Sequence, residues 1–267
     1  MENQGKGRIV IRVGRHHLSF SAIDMSQDEN PIVYEPFVVK SGMSIAANLR
    51  SALKESDIAA GSARKVLVMS DSPLLLTPVE LFEESTMAQF YQHAFPKSEQ
   101  EQVMYNVLPD ENTVAVFALS KDLLTVINDH FDDVKIVTAL SPVFRHLHRR
   151  SFTGSRNKLY GYFHDETIDI FAFHQNRFKF YNRYDARRMK DVMYFMLYVW
   201  KQLSFSQEHD ELYMVGDIAE RDLLTENLKQ YVQKTYTINP SADFNRAAST
   251  QVKGMPFDLV TLFARGR

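Results

Sequence analysis

Apolar and polar positions along this chain change period in an ordered way. Arg8–Val13 and Leu18–Asp24 read as two paired strands with a turn at Gly14–His17. Pro31–Lys40 reads as a third strand, with Pro36 suited to an edge or a bulge because proline cannot donate to a ladder. The period then lengthens. Ile45, Leu49 and Leu53 recur one turn apart behind Ser44, which predicts a helix with a hydroxyl N-cap. Val66–Ser70 is a short apolar run and predicts a buried strand. The segment from Leu74 to Val116 is less regular: LLLTPVELF is extended, Ser85–Ala94 helical, and Val103–Leu108 and Thr113–Ala118 form a hairpin around Pro109-Asp110-Glu111-Asn112. The main pattern returns with Ser120 capping a helix whose Leu123, Leu124, Ile127 and Phe131 share one side. Val134–Ala139 is a strand, and Ser141-Pro142 opens a short helix with proline at its first position, where a missing N–H costs nothing.

SFTGSRNK, Ser151–Lys158, is polar and marks a domain junction. The pattern then repeats. Leu159–Phe163, Ile168–Phe173 and Arg177–Tyr184 read as three strands joined by tight turns, the second at Gln175-Asn176, where asparagine tolerates positive φ. A long helix over about Ala186–Leu203, a strand Leu212–Val215, a helix Ala219–Val232, a strand Tyr236–Ile238 and a helix from Pro256 complete the chain. Each half thus runs strand, strand, strand, helix, strand, helix, an internal repeat. The expected class is α/β, with a first domain over 1–150 that carries an insertion at about 74–118, and a second over 151–267 whose last helix packs back on the first. Two mixed sheets facing each other across a cleft follow, since clefts favour domain interfaces. The nine apolar residues Val192–Trp200 predict a helix buried on every side. The other reading puts one face on its own sheet and another on an oligomer partner.

Composition narrows the function. The 267 residues carry a net charge near −2, so no global basic field draws the chain to nucleic acid or an anionic membrane. There are no cysteines, which excludes disulfides, thiolate zinc sites and a cysteine nucleophile. The polar N-terminus lacks the apolar core of a signal peptide. Val192–Trp200, the longest apolar run, falls well short of the ~20 residues that span a bilayer. A cytoplasmic location is the expectation.

The duplicated unit resembles the actin, sugar-kinase and heat-shock-chaperone (ASKHA) ATPase superfamily, with its ribonuclease H-like fold. Within it, it is most similar to PilM and FtsA, the bacterial actin-like assembly proteins. The likeness runs through GRIVIRVGRHHLSFSAID, AVFALSKDLLTVINDHF, LYGYFHDETIDIFAFHQNRFKFYNRY, ELYMVGDIAERDLLTENLKQYV and LVTLFARG. The chain also looks like an uncharacterised bacterial family of the same layout. In the superfamily three loops hold ATP, two of them hairpins whose glycines and hydroxyls bring backbone N–H groups close to phosphate oxygens. In the first loop the resemblance sets Arg12-Val13-Gly14-Arg15-His16-His17 against Asp-x-Gly-(Ser/Thr)-(Ser/Thr), so the glycine stays while the aspartate becomes Arg12. In the second, Tyr162-Phe163-His164-Asp165-Glu166-Thr167-Ile168 stands for Asp-Ile-Gly-Gly-Gly-Thr-Thr. The aspartate becomes Tyr162, and two carboxylates lie where phosphate would, each repelling it by about 1 kcal/mol in water at close range. In the third, Val215-Gly216-Asp217-Ile218-Ala219 keeps one glycine, and Asp217 is expected to cap the next helix. Gly14, Arg15, His164, Asp165, Glu166, Thr167, Gly216 and Asp217 are therefore the degenerate cofactor-binding positions.

Other chemistry is sparse. Adjacent His16 and His17 on a strand face opposite ways, and His146 and His148 are two apart on a helix, so neither pair is placed to share a metal. RHLHRR reads instead as cations at a helix C-terminus. Ser70-Asp71-Ser72 has no nucleophile elbow around it and reads as a turn. Arg145, Arg149, Arg150, Arg156 and Lys158 form one basic cluster, and Arg183, Arg187, Arg188 and Lys190 a second. With nearby aromatics these are the elements of single-strand nucleic-acid binding, which the net charge disfavours. The leading expectation is a non-catalytic actin-like protein with no bound cofactor, no catalytic or metal residues and no membrane, binding a protein partner or itself through an edge strand or the 74–118 insertion. The alternative is a divergent ATP-binding protein or kinase, with Arg12, Gly14 and Arg15 on phosphates and Asp165 or Glu166 recruiting magnesium.

Overall fold

The computed structural model describes residues 8–24, 26, 30–61, 65–96, 100–175 and 177–264. They form two compact units, 1–141 and 142–267.

The first unit opens with strands β1 (Arg8–Val13), β2 (His17–Ile23) and β3 (Ile32–Val38), helices α1 (Ile45–Glu55) and α2 (Asp57–Ala60), and strand β4 (Lys65–Ser70). Strand β5 (Leu74–Pro78), helix α3 (Glu84–Ala94), and strands β6 (Glu101–Leu108) and β7 (Thr113–Ser120) follow, then helix α4 (Lys121–His130) and strand β8 (Val134–Thr138). The main sheet has the order β3-β2-β1-β4-β8. β1 pairs antiparallel with β2 and parallel with β4. Central β1 and β4 are buried from their second residue on, as apolar runs covered on both faces must be. Ser44 and Ser120 cap α1 and α4 as expected, accepting from Ala47 N and Leu123 N at 3.2 Å each. Pro36 sits on β3, an edge strand, where its missing N–H leaves no ladder bond unmade.

The irregular segment 74–118 is a subdomain of its own. β5, β7 and β6 form a three-stranded antiparallel sheet, with α3 packing Tyr91 against Val114, Val116 and Ala118. Asn106 on β6 donates from Nδ2 to Ile136 O at 3.1 Å and accepts at Oδ1 from Thr138 N at 2.9 Å. Its amide thereby satisfies the outer groups of β8, the last strand of the main sheet.

The second unit begins in helix α5 (Leu140–Ser151), then runs β9 (Lys158–His164), β10 (Thr167–His174), β11 (Arg177–Asp185), α6 (Met189–Gln202), β12 (Glu211–Gly216), α7 (Arg221–Lys229), β13 (Thr235–Thr237), α8 (Pro240–Asp243) and α9 (Phe257–Ala264). Its sheet, β11-β10-β9-β12-β13, repeats the strand order and sense of the first. The repeat read from periodicity is therefore a repeat of topology. α6 and α7 cover one face of the sheet with Val192, Met196, Trp200, Leu224 and Leu228. Phe144 of α5 stacks on Phe171 at 5.4 Å between ring centroids.

Three details depart from the sequence reading. α5 begins at Leu140, so Pro142 is its third residue and not its first; Leu140 N instead bonds Thr138 Oγ1 at 3.3 Å. α6 is not buried on every side. Val192, Met196, Val199 and Trp200 face inward, but Tyr194 is 62% exposed and Tyr198 46%. An apolar run predicts burial along its whole length, but tyrosine keeps a polar tip that water accepts. Asn176, assigned positive φ, lies outside the described residues, whereas its neighbour Gln175 has φ 45°. No helix among the described residues is long and apolar enough to cross a membrane.

Candidate functional site

The hairpin β9–β10 turns in two residues, with His164 opposite Thr167. Asp165 and Glu166 both take positive φ, 43° and 60°. That is the signature of a type I′ turn, whose twist matches the flanking strands and which Asn-Gly fills most easily. Left-handed backbone costs roughly 1 kcal/mol or more at a residue with a Cβ, so this acidic turn carries strain. Glu166→Gly is expected to raise the melting midpoint by a few degrees, for about 1 kcal/mol of relief. A lower midpoint in calorimetry would mean that the contacts of Glu166 outweigh the strain.

Inside the turn lies a charge network. Asp169 on β10 is wholly buried. It accepts from Arg183 Nε at 2.8 Å and Nη2 at 2.9 Å, from the Tyr181 hydroxyl at 2.8 Å, and from His164 Nε2 at 2.5 Å. Burial alone would raise its pKa, but the Arg183 guanidinium and His164 together outweigh burial and hold the carboxyl below its usual range. Since Asp169 is ionised, the His164 nitrogen facing it carries the proton. The His164 ring also stacks on Tyr162 at 4.4 Å, and the Thr167 hydroxyl donates to His164 O at 2.9 Å.

Beside the hairpin is a cavity of about 370 Å³. Phe163, Met189, Val192 and Leu224 give it an apolar lining, and Asp165, Glu166, Asp217 and Glu220 supply carboxylates alongside His164, Thr167 and Arg187. His164, Asp165, Glu166 and Thr167 from the second loop thus meet Asp217 from the third. Gly14 and Arg15 belong to the other unit, Gly14 buried at the end of β1 and Arg15 exposed in its turn. Arg12, in place of an aspartate, is buried on β1 and pairs with Asp71 just past β4, Nη2 to Oδ2 at 3.9 Å.

Gly216 does not line the cavity. It ends β12 with φ 103°, and a Cβ there would lie 2.1 Å from the Phe163 carbonyl oxygen. The N–H of the next residue, Asp217, donates to that same carbonyl at 3.0 Å. The surviving glycine is therefore a close-approach glycine that lets the third loop lie against β9. Asp217 does not cap a helix: α7 starts four residues later behind Glu220, which has φ 47° and makes no side-chain cap bond.

Arg150, Arg156 and Lys158 of the first basic cluster are used within the fold. His146 donates from Nε2 to Asp243 Oδ2 at 2.6 Å, and Arg150 bonds the same carboxylate. His148 is buried against Phe173 and not exposed at the helix end. Arg156 pairs with Glu211 at 3.1 Å. Lys158 is buried and donates to Arg150 O and Ser151 O at 3.3 Å each, so the cation that serves the end of α5 comes from β9. Sequence reading missed Asp169, Tyr181 and Glu220, and it set Arg187 in a basic cluster whereas the residue lines this cavity. For Asp169 there was a signal: an aspartate between Ile168 and Ile170 in a strand buried on both faces must be paired.

A family model described as "Protein of unknown function (DUF3822)" matches residues 1–235. No curated protein matches the chain. Among solved structures, the chain is similar to a Bacteroides thetaiotaomicron protein with actin-like ATPase fold and unknown function, at 28% identity and TM-score 0.81, over 91% of this chain and 96% of that one. It is also similar to a chain of the PilM–PilN type IV pilus biogenesis complex, at 13% identity and TM-score 0.61, over 96% and 97%. The fold is actin-like.

Proposed function

The chain belongs to the DUF3822 family, and from that premise we propose that it is a non-catalytic actin-like protein that works by binding a protein partner or further copies of itself. The observation that carries this reading is the acidic two-residue turn. Asp165 and Glu166 stand where the resemblance puts phosphate-gripping glycines, and with Asp217 and Glu220 they give the cavity a carboxylate lining that disfavours an anion. The one glycine kept in the third loop is taken up by the Phe163 carbonyl. These residues do not fit a triphosphate. That a fold neighbour occurs in the PilM–PilN complex supports a protein as the natural partner.

The test is thermal unfolding with and without Mg-ATP. A ligand at 100 times its Kd adds about 2.7 kcal/mol of stability. The melting midpoint is expected not to move at millimolar Mg-ATP. A rise of several degrees would overturn this reading in favour of a divergent ATP-binding protein.

A further inference from the structure

We infer that a second cavity, lined by the tyrosines of β12 and β13 and by the ion pair of α5 with α8, is a docking pocket for an aromatic side chain of a protein partner. The inference rests on the interaction role proposed above and gives the partner a chemistry.

Three tyrosines form a ladder across the sheet of the second unit, one per strand. Tyr160 on β9 lies opposite Tyr213 on β12, which lies opposite Tyr236 on β13. The rings stack in turn, at 5.1 Å and 5.3 Å between centroids, as cross-strand aromatic pairs favour. Burial falls along the ladder: Tyr160 is buried, Tyr213 half-buried and Tyr236 45% exposed. β13 is the last strand of its sheet, so the ladder stops at Tyr236, which among the described residues meets no ring but Tyr213. Tyr213 and Tyr236 border a cavity of about 360 Å³, within the roughly 300–1,000 Å³ of ligand pockets. Arg150 near the end of α5, Asn239 after β13 and Asp243 of α8 supply its polar lining.

The walls are braced from behind. The Tyr213 hydroxyl donates to Glu211 at 2.9 Å, and Arg156 holds the same carboxylate at 3.1 Å. The Arg150 guanidinium bonds Asp243 and lies over the Tyr213 ring, 5.4 Å from its centroid. Asp243 is fixed in turn by His146, whose ring lies 4.5 Å from that of Phe244. A pocket whose side chains are held by further partners is preorganised, which lowers the entropy cost of binding. The bracing also selects the ligand. Arg150 and Asp243 offset each other's charge, so the lining favours neither an anion nor a cation. What it leaves open is the exposed ring of Tyr236 and one amide. Asn239 Oδ1 accepts from Ser241 N at 3.1 Å, which sets the orientation of the amide, and its Nδ2 has no partner among the described residues. A stacking face beside an N–H donor suits a planar ring next to a carbonyl, the two groups that an aromatic residue in a peptide carries. A nucleobase offers both as well but brings phosphates, for which a paired Arg150 and a net charge of −2 make no provision.

Chemical-shift titration of the isotope-labelled full chain tests this, with N-acetyl-tryptophanamide as the probe because it carries both ring and carbonyl. At millimolar concentration the probe is expected to shift the amide signals of Tyr236, Thr237, Ile238 and Asn239 saturably, while N-acetyl-leucinamide does not. Tyr236→Ala, at an exposed position, should weaken the Kd of the probe about two- to tenfold, the worth of one aromatic stack. Tyr236→Phe keeps the ring and should bind as the parent chain does. The inference is overturned by the absence of shifts at these residues, by an equal response to the leucine amide, or by a Kd that Tyr236→Ala leaves unchanged. Adenosine bound there more tightly than the tryptophan amide overturns it in favour of a nucleobase site. None of these failures touches the proposed function, which is tested by Mg-ATP at the other cavity. A melting midpoint raised by Mg-ATP, with these amide signals answering only to the tryptophan amide, would sink that reading and not this pocket.

Discussion

Gly216→Ala is expected to be among the most damaging single substitutions in this protein. Two separate costs fall on the same atom. The backbone at Gly216 sits at φ 103°, a region that costs a residue with a side chain roughly 1–3 kcal/mol. The added Cβ would also sit 2.1 Å from the Phe163 carbonyl oxygen, 3.0 Å from its carbon and 3.1 Å from its nitrogen. All three neighbours are backbone of β9, the central strand of its sheet, and cannot swing away as a side-chain tip can. Relief would require β12 and β9 to part at the register Gly216–Phe163, breaking the Asp217 N–H bond to Phe163 O as well. A loss of about 3–5 kcal/mol is expected, enough to remove a large share of a typical domain's stability. Denaturant unfolding measures it. Gly161→Ala is the control: its added Cβ would meet only the side-chain ends of Ile168, Met196 and Phe163, at 2.9–3.4 Å, and should cost clearly less. Equal losses at the two positions would refute the close-approach account of Gly216.

Asp169→Ala is the second large effect. It would strip the acceptor from Arg183, Tyr181 and His164 together. Breaking a buried pair by removing one partner typically costs ~3–5 kcal/mol, because the other charge stays behind unpaired. Replacing both members, Asp169→Leu with Arg183→Met, is expected to cost much less than Asp169→Ala alone, since no guanidinium is then stranded. The same network sets an acid limit. The folded pKa of Asp169 lies below its unfolded value of about 3.9. Its contribution is therefore fully present above the unfolded pKa and is lost as pH falls through the folded one. Stability measured downward from about pH 5 should decline less steeply in Asp169→Asn than in the parent chain. Parallel curves would assign the acid sensitivity to other carboxylates.

How much of this was readable beforehand follows from what periodicity encodes. The strand and helix order of both halves, and hence the repeated topology, showed in the alternation of Leu159–Phe163 and the helical spacing of Leu123, Leu124 and Ile127, because burial on one side or both leaves a period. The tight turn at Asp165-Glu166 was visible too, as was its poor chemistry for phosphate. The Asp169–Arg183 pair was not, since which residue a buried charge meets depends on cross-strand register, here Asp169 opposite Arg183. Gly216 reads from sequence as a ligand-loop remnant, because a sequence shows that a glycine is kept but not what approaches it. Tyr194 and Tyr198 were hidden in an apolar run that hydropathy alone treats as uniform.

The Asn106 amide has a consequence for how this fold can be cut. Ile136 O and Thr138 N lie on the outer side of β8, and the side chain of a neighbouring sheet answers them in place of another strand. Trimming away 74–118 to obtain a minimal first unit would bare that edge, and a bared edge recruits whatever extended chain is nearby, including its own kind. The subdomain is thus a guard against misassembly as well as an ornament, and a shortened version would need a proline or an inward lysine along 134–138 to remain dispersed.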